Sequence, residues 1–259
     1  MMKAFVTGIG WITAAGIGRG TRDDRFAMPD GELPAFSRKD IFAEPFPRFG
    51  RLDGFSRLGL AGIALALADA GLDLWEEKRN IGVMAGTAHG CLGTDIAYFD
   101  TVLPEKGSLA SPNLFAYTLS NTFLGEAAIR FGLTGSSLVL NGSDPDGFSP
   151  LRMAIESLAW GESPTMLAGI CDLAPPEGMT PKHGAAPGTV FLVLSKRRPD
   201  SMPKYAEIRL DDQGTVSVDR LAVDGWEGLV SGCLAGFKKP VGSRVVVFPG
   251  LATKQKSKP

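Results

Sequence analysis

The stretch from Gly135 to Gly161 constrains the chain more than any other. A short apolar run, Leu138 to Leu140, leads into a small polar turn, Asn141-Gly142-Ser143-Asp144-Pro145. The turn leads into a helical pattern that stops at Trp160-Gly161. A strand passing through a tight turn into a helix brings unpaired first-turn N–H groups to the turn, which favours negative charge there. The nucleophile candidates in the turn are a serine, Ser143, and a carboxylate, Asp144. A Gly-x-Ser-x-Gly elbow is not formed, because the last glycine is lacking. Asp144-Pro145 also suits an N-cap followed by proline at the first helical position. Gly147 and Pro150 oppose an unbroken first turn, so regular helix is expected only from about Ser149-Pro150, with 144–149 as an irregular lead-in.

Around this unit, short buried strands alternate with helical segments, the pattern of a layered α/β domain. Lys3 to Thr7 reads as a first strand that turns sharply at Gly8-Ile9-Gly10. The glycines there do not meet the Gly-x-Gly-x-x-Gly spacing of a dinucleotide loop, and no helix pattern follows. Residues 20–54 read as a long surface loop. Leu60, Ile63, Ala64, Leu67 and Ala68 mark an amphipathic helix ending at Gly71, and Asn80 to Gly86 a buried strand. Thr94 to Leu103 reads as helical. Ser111-Pro112 looks like a helix start, from which Phe115, Leu119, Phe123, Ala127 and Phe131 keep one stripe up to Gly132. Strands are expected at Thr165–Cys171 and Gly188–Ser195, and a hairpin at Tyr205–Leu210 with Thr215–Val218. A helix is expected at Trp226–Ala235 and a last strand at Val245–Phe248.

The totals exclude several function classes. A net charge of −1 with both signs scattered leaves no basic footprint for nucleic acid. Three distant cysteines, Cys91, Cys171 and Cys233, suit reduced thiols rather than a disulfide framework. No run reaches the roughly 18 apolar residues of a membrane helix, and the N-terminus does not read as a signal peptide, so a cytoplasmic protein is expected. The two histidines, His89 and His183, lie in glycine-rich loops without carboxylate or thiol at ligand spacing, so neither metal nor cofactor is expected. Cys91 could be exposed near a strand end, but no basic neighbour favours its thiolate; Cys171 and Cys233 read as core.

Taken in order, several segments resemble the N-terminal half of β-ketoacyl synthases, the condensing enzymes of fatty-acid and polyketide assembly. They are Phe5-Val-Thr-Gly-Ile-Gly-Trp-Ile-Thr, Phe55-Ser-Arg-Leu with Ala66-Leu-Ala-Asp-Ala-Gly-Leu, and Ile81-Gly-Val-Met-Ala-Gly-Thr. Ser111-Pro-Asn-Leu-Phe, Ser120-Asn-Thr-Phe-Leu-Gly, Ile129-Arg-Phe-Gly-Leu-Thr-Gly and Leu167-Ala-Gly-Ile-Cys-Asp follow. The family's nucleophile lies in a pattern like Gly-Pro-Ser-Leu-x-Val-Asp-Thr-Ala-Cys-Ser-Ser. Laid without gaps from Gly135, that pattern puts Asp144 at the cysteine and Ser143 at the alanine before it. A thiolate accepts an acyl group from a thioester at little cost, whereas a carboxylate would form a high-energy mixed anhydride. A helix N-terminus further stabilises the carboxylate and lowers its nucleophilicity. The family's histidine motifs, of the His-Gly-Thr-Gly-Thr and Gly-Gly-His-Asn kind, are not found in this sequence, which removes the groups that polarise the thioester.

The resemblance implies a thiolase-like half fold, layered α-β-α with a mixed five-stranded sheet and a short C-terminal extension. It divides the chain into a ketosynthase-like half at 1–210, an extension at 211–253 that caps the sheet, and a disordered tail at 254–259. It also implies a non-condensing pseudoenzyme that pairs with an active ketosynthase and shapes its acyl cavity, like a chain-length factor. Contacts to the partner, or to a second copy, are expected from Ser137, Leu138, Val139, Leu140, Asn141 and Phe123, and acyl carrier protein is a further possible partner. Two alternatives stand beside this one: a hydrolase or acyltransferase working on acyl thioesters through Ser143 or Asp144, with His89 or His183 as base, and a homodimeric acyl or carrier-protein binding module without chemistry.

Overall fold

The computed structural model describes residues 1–21, 25–142, 146–180, 186–197 and 205–237. Its centre is one mixed sheet. Strands β1 (Met2–Thr13) and β2 (Gly16–Arg19) open the chain, followed by β3 (Ile81–Thr87), β4 (Ser137–Asn141), β5 (Thr165–Asp172) and β6 (Gly188–Ser195). The hairpin strands β7 (Glu207–Leu210) and β8 (Val216–Val218), and the two-residue β9 (Leu221–Ala222), complete it. The order is β4-β3-β5-β6-β1-β7-β8-β9, with β2 paired to β1. Pairing is parallel at β4/β3 and β3/β5 and antiparallel from β5/β6 onward. The α/β layering and mixed sheet are as expected. The strand number is not: five strands, β4-β3-β5-β6-β1, form the middle, and the β2 and β7–β9 pairings raise the described total to nine.

Helices cover both faces. On one side lie α1 (Arg38–Ile41), a 3-10 turn at Pro47–Arg51, α2 (Gly54–Asp69) and α5 (Thr122–Phe131). On the other lie α6 (Ser149–Trp160) and α7 (Gly225–Ala235). The alternation of side chains divides the strands between the two cores. Phe191 and Val193 of β6 face α2, whereas Val190, Leu192 and Leu194 face α6. In β1 a register shift between Val6 and Gly8 moves the alternation by one residue. As a result Ala4, Val6, Ile9 and Trp11 all enter the α6-side core.

Three departures from the sequence reading share a cause, the depth of α2. β1 does not turn at Gly8-Ile9-Gly10 but continues as one strand to Thr13. The glycines are there because α2 lies directly on the strand: a Cβ on Gly10 would sit 2.3 Å from the Ala66 nitrogen, and one on Gly8 2.6 Å from the Ala66 carbonyl. α2 is not one-sided, since it is buried on nearly every face, the mark of a central helix. The segment read as a surface loop supplies its outer cover. Phe42, Phe49 and Leu52 are buried against it, and Phe42 packs edge-on to Phe49 at 5.1 Å.

A fourth departure concerns the stripe from Phe115 to Phe131, which is not one helix. The chain forms α3 (Leu92–Val102), then the single turn α4 (Pro112–Phe115) capped by the Ser111 hydroxyl, and restarts at α5. In between, the Thr118 and Thr122 hydroxyls donate to the Phe115 and Leu119 carbonyls, local bonds that compete with a continuous ladder. The helix at α6 starts at Ser149 and stops at a left-handed Gly161, and α7 matches the expected Trp226–Ala235 helix. The expected strand at Val245–Phe248 and the tail at 254–259 lie outside the described residues. No helix among the described residues is long and apolar enough to cross a membrane.

Candidate functional site

The three parallel strands β4, β3 and β5 end side by side at Asn141, Thr87 and Asp172. In open α/β sheets ligands gather outside the carboxyl ends of such strands, where chain reversals leave a crevice. Asp172 organises this end. Its carboxylate accepts from the Thr87 hydroxyl at 2.8 Å, from the Ala88 amide at 2.9 Å and from the His89 amide at 2.9 Å. Burial raises the Asp172 pKa above the usual carboxylate range, against the lowering effect of those donors. The Thr87 hydroxyl in turn accepts from the Gly90 amide at 2.7 Å, so the loop 87–91 is tied at both ends.

This loop meets the exit of β4. The Gly142 amide donates to the Thr87 carbonyl at 3.3 Å. Gly90 has a left-handed backbone, with φ +60°, and a Cβ there would lie 2.4 Å from the Ser120 hydroxyl and 3.7 Å from the Asn141 side-chain nitrogen. Glycine is therefore required by both conformation and space. Cys91 follows. It is buried, not exposed as its place near a strand end suggested, because Ser120 and the first turn of α3 close over it. Its sulfur lies 3.6 Å from the Ser120 hydroxyl and 3.6 Å from both Asp95 carboxylate oxygens. Burial pushes the thiol pKa up, and Asp95 adds to this, so Cys91 is held as the neutral thiol rather than a nucleophile. Cys171 and Cys233 are free, fully buried and likewise pushed up by burial.

Of the residues singled out in the sequence, Ser143, Asp144 and His183 lie outside the described residues. The others divide. Ser137, Leu138 and Asn141 are exposed along β4, with Leu138 43% accessible, while Val139 and Leu140 are half-buried. Among the described residues β4 ends the sheet, with no strand on its outer side. Phe123 does not belong with them: its ring is fully buried, edge-on to Phe55 at 5.6 Å and to Phe191 at 6.4 Å. It is a core residue of this chain and offers no contact to another. His89 is brought to the site by its backbone, and its Nε2 is shielded from solvent with no hydrogen-bond partner among the described residues.

Sequence reasoning missed Asp172, Thr87 and Ser120. Asp172 closes the strand Thr165–Asp172, and a carboxylate at the end of a buried parallel strand is a readable signal. Ser120 carried no local signal, because its role comes from a long-range approach to Gly90. Among the described residues no group of histidine, cysteine and carboxylate side chains is placed to hold a metal ion.

Residues 35–183, more than half of the chain, match the model of the beta-ketoacyl synthase N-terminal domain. The 3-oxoacyl-[acyl-carrier-protein] synthase 2 of Vibrio harveyi is 31% identical over 121 residues, which is 46% of this chain and 29% of that protein. The match thus spans under a third of the curated relative. Among solved structures, the ishigamide ketosynthase/chain length factor is similar with a TM-score of 0.59 and 16% identity, over 82% of this chain and 68% of that chain. A type II polyketide acyl-carrier protein in complex with its ketosynthase is similar at TM-score 0.63 and 19% identity, over 81% of this chain and 67% of that chain. At these identities the structural likeness establishes the fold, and the domain match establishes more: the chain belongs to the β-ketoacyl synthase family through its N-terminal domain.

Proposed function

We propose that the chain is a non-condensing ketosynthase-like subunit that pairs with an active ketosynthase and shapes its acyl cavity. In this reading it is chain-length-factor-like and serves fatty-acid, polyketide or aryl-polyene-type biosynthesis. The observations that carry it are the edge of β4, which no described strand pairs, and the apolar surface of the α3–α4 arm. Neither α3 nor α4 buries a single residue, yet Ile96, Phe99, Leu103, Leu109, Phe115 and Leu119 are exposed along this arm. Exposed large apolar side chains and a strand edge that no described strand pairs are surfaces suited to a partner. Asp144 at the nucleophile position supports the silent chemistry, since a carboxylate there would not take an acyl group from a thioester. That one solved neighbour is a ketosynthase/chain length factor supports the choice of partner class.

The test is co-expression with an active ketosynthase of the same organism. A one-to-one complex and an altered product chain length are expected, with no condensation by the chain alone. A stable self-dimer that retains acyl ligand would favour the binding-module reading instead. One observation favours a second reading, thioester hydrolysis or acyl transfer: the His89 loop packs against the exit of β4 at Asn141-Gly142, the residues that precede Ser143 in sequence. Thioesterase activity lost in Ser143→Ala or Asp144→Ala would support it, and activity that persists in both would remove it.

A further inference from the structure

The residues that lead into α6, Asp146-Gly147-Phe148, are held both by local contacts and by chain far away in sequence. The Trp226 indole N–H donates to the Gly147 carbonyl at 2.9 Å, and the Trp226 and Phe148 rings meet edge-on at 5.8 Å. Arg152, one turn into α6, donates through Nη1 to the Asp146 carboxylate at 3.0 Å and through Nη2 to its other oxygen. The Nε of the same guanidinium donates to the Gly214 carbonyl, in the loop between β7 and β8, at 2.9 Å. A planar fork with fixed donors can bracket two backbones in this way, and a lysine cannot. Asp146 also accepts from the Phe148 amide at 3.1 Å, so its carboxylate joins the bracket to the lead-in itself.

The chain that supplies these contacts is anchored independently. Trp226, Leu229, Val230 and Cys233 of α7 are buried in the α6-side core. β7 is paired to β1, and the Tyr205 hydroxyl donates to the buried Asp69 carboxylate at 2.6 Å, at the far end of α2. Phe237 stacks on Tyr205 at 4.6 Å. Residues 205–237 therefore have their own footing on the sheet and reach the lead-in from there. They also lie wholly outside the residues that match the family domain.

We infer that residues 205–237 act as a clamp on the lead-in to α6: Trp226 and the Arg152–Asp146 bracket set the conformation of residues 146–148. Position of α7 and conformation of the lead-in are then one coupled variable, whichever partner the chain takes. The clamp is independent of the pairing reading above.

Hydrogen exchange on the whole chain, residues 1–259, tests it, comparing wild type with Trp226→Phe and Arg152→Lys. Trp226→Phe keeps the packed ring and removes the indole N–H; Arg152→Lys keeps the charge and removes the fork. Amides in 146–152 are expected to exchange about threefold to tenfold faster in each variant, the effect of one lost hydrogen bond, with the strands β3 and β5 unchanged. Unchanged exchange at 146–152 in both variants would overturn the clamp. So would an increase spread equally over β3, β5 and the lead-in, which would mean general loosening. If Trp226→Phe does not fold, Arg152→Lys alone decides between these outcomes.

Discussion

Helix α2 and the α3–α4 arm look alike in sequence and end up in opposite surroundings. Both carry aromatic and aliphatic residues at helical spacing. In α2 nearly every side chain is buried, between the sheet on one side and α5, Phe42, Phe49 and Leu52 on the other. In the arm none is. The difference is one of cover rather than composition. α2 lies on β1 because Gly8 and Gly10 leave room for it, whereas the arm touches the rest of the domain mainly at its ends, through the Thr94 hydroxyl on Asp53, Tyr117 against the core and Ser120 on Cys91. Apolar residues that the chain itself does not cover are where the account places another subunit.

The largest expected contrast uses two phenylalanines. Phe123→Ala empties a site packed by Phe55, Gly59 and Phe191 and should cost about 3–5 kcal/mol. Phe115→Ser, at a residue 61% exposed, should stay within about 0.5 kcal/mol by chemical denaturation. Comparable losses at both positions would mean that the arm is folded into the core after all.

Asp69→Asn sharpens the comparison at the C-terminal end of α2. This carboxylate accepts from the Ile9 and Thr21 amides and from Tyr205, and its loss should cost about 2–3 kcal/mol. Burial raises the Asp69 pKa above the ordinary value despite those donors. The folded state therefore holds this proton more tightly than the unfolded chain. The stability linked to Asp69 is fully present below the ordinary carboxylate pKa and declines as pH rises through the raised one. The stability difference between wild type and Asp69→Asn should accordingly be largest in acid and shrink toward neutral pH. A difference that grows with pH would contradict that sign.

Gly90→Ala is expected to be milder, about 1–2 kcal/mol, from a left-handed backbone and a clash with Ser120 that a small shift can relieve. Thermal unfolding of the single variant, and its restoration by Ser120→Gly, would check the contact.

How much of this was legible beforehand differs between core and site. The strands at 81–87, 165–172 and 188–195 and the start of α6 at Ser149 follow from periodicity, glycine and proline, which act locally. The course of β1 through Gly8 and Gly10 was not legible, because a glycine that admits a packed helix looks the same in sequence as one that makes a turn. Nor was the cover of α2 by Phe42 and Phe49, which sit in a segment without period. At the site, the strand at 137–141 and the helix from Ser149 could be read, and Phe123 was misassigned because burial depends on its partners. Asp172 had a signal in its place at a strand end, but its partners, like the Ser120–Gly90–Asn141 approach, join distant parts of the chain and leave no mark on local spacing.

The central claim, that β4 and the α3–α4 arm seat an active ketosynthase, is tested most directly by native mass spectrometry of the two proteins mixed. Wild type and Leu138→Glu should be compared, because Leu138 is exposed on the edge strand and its replacement should leave folding intact. The account predicts a one-to-one complex for wild type that is lost in Leu138→Glu at unchanged melting temperature. A chain that forms no complex, or a complex that Leu138→Glu leaves untouched, would contradict it.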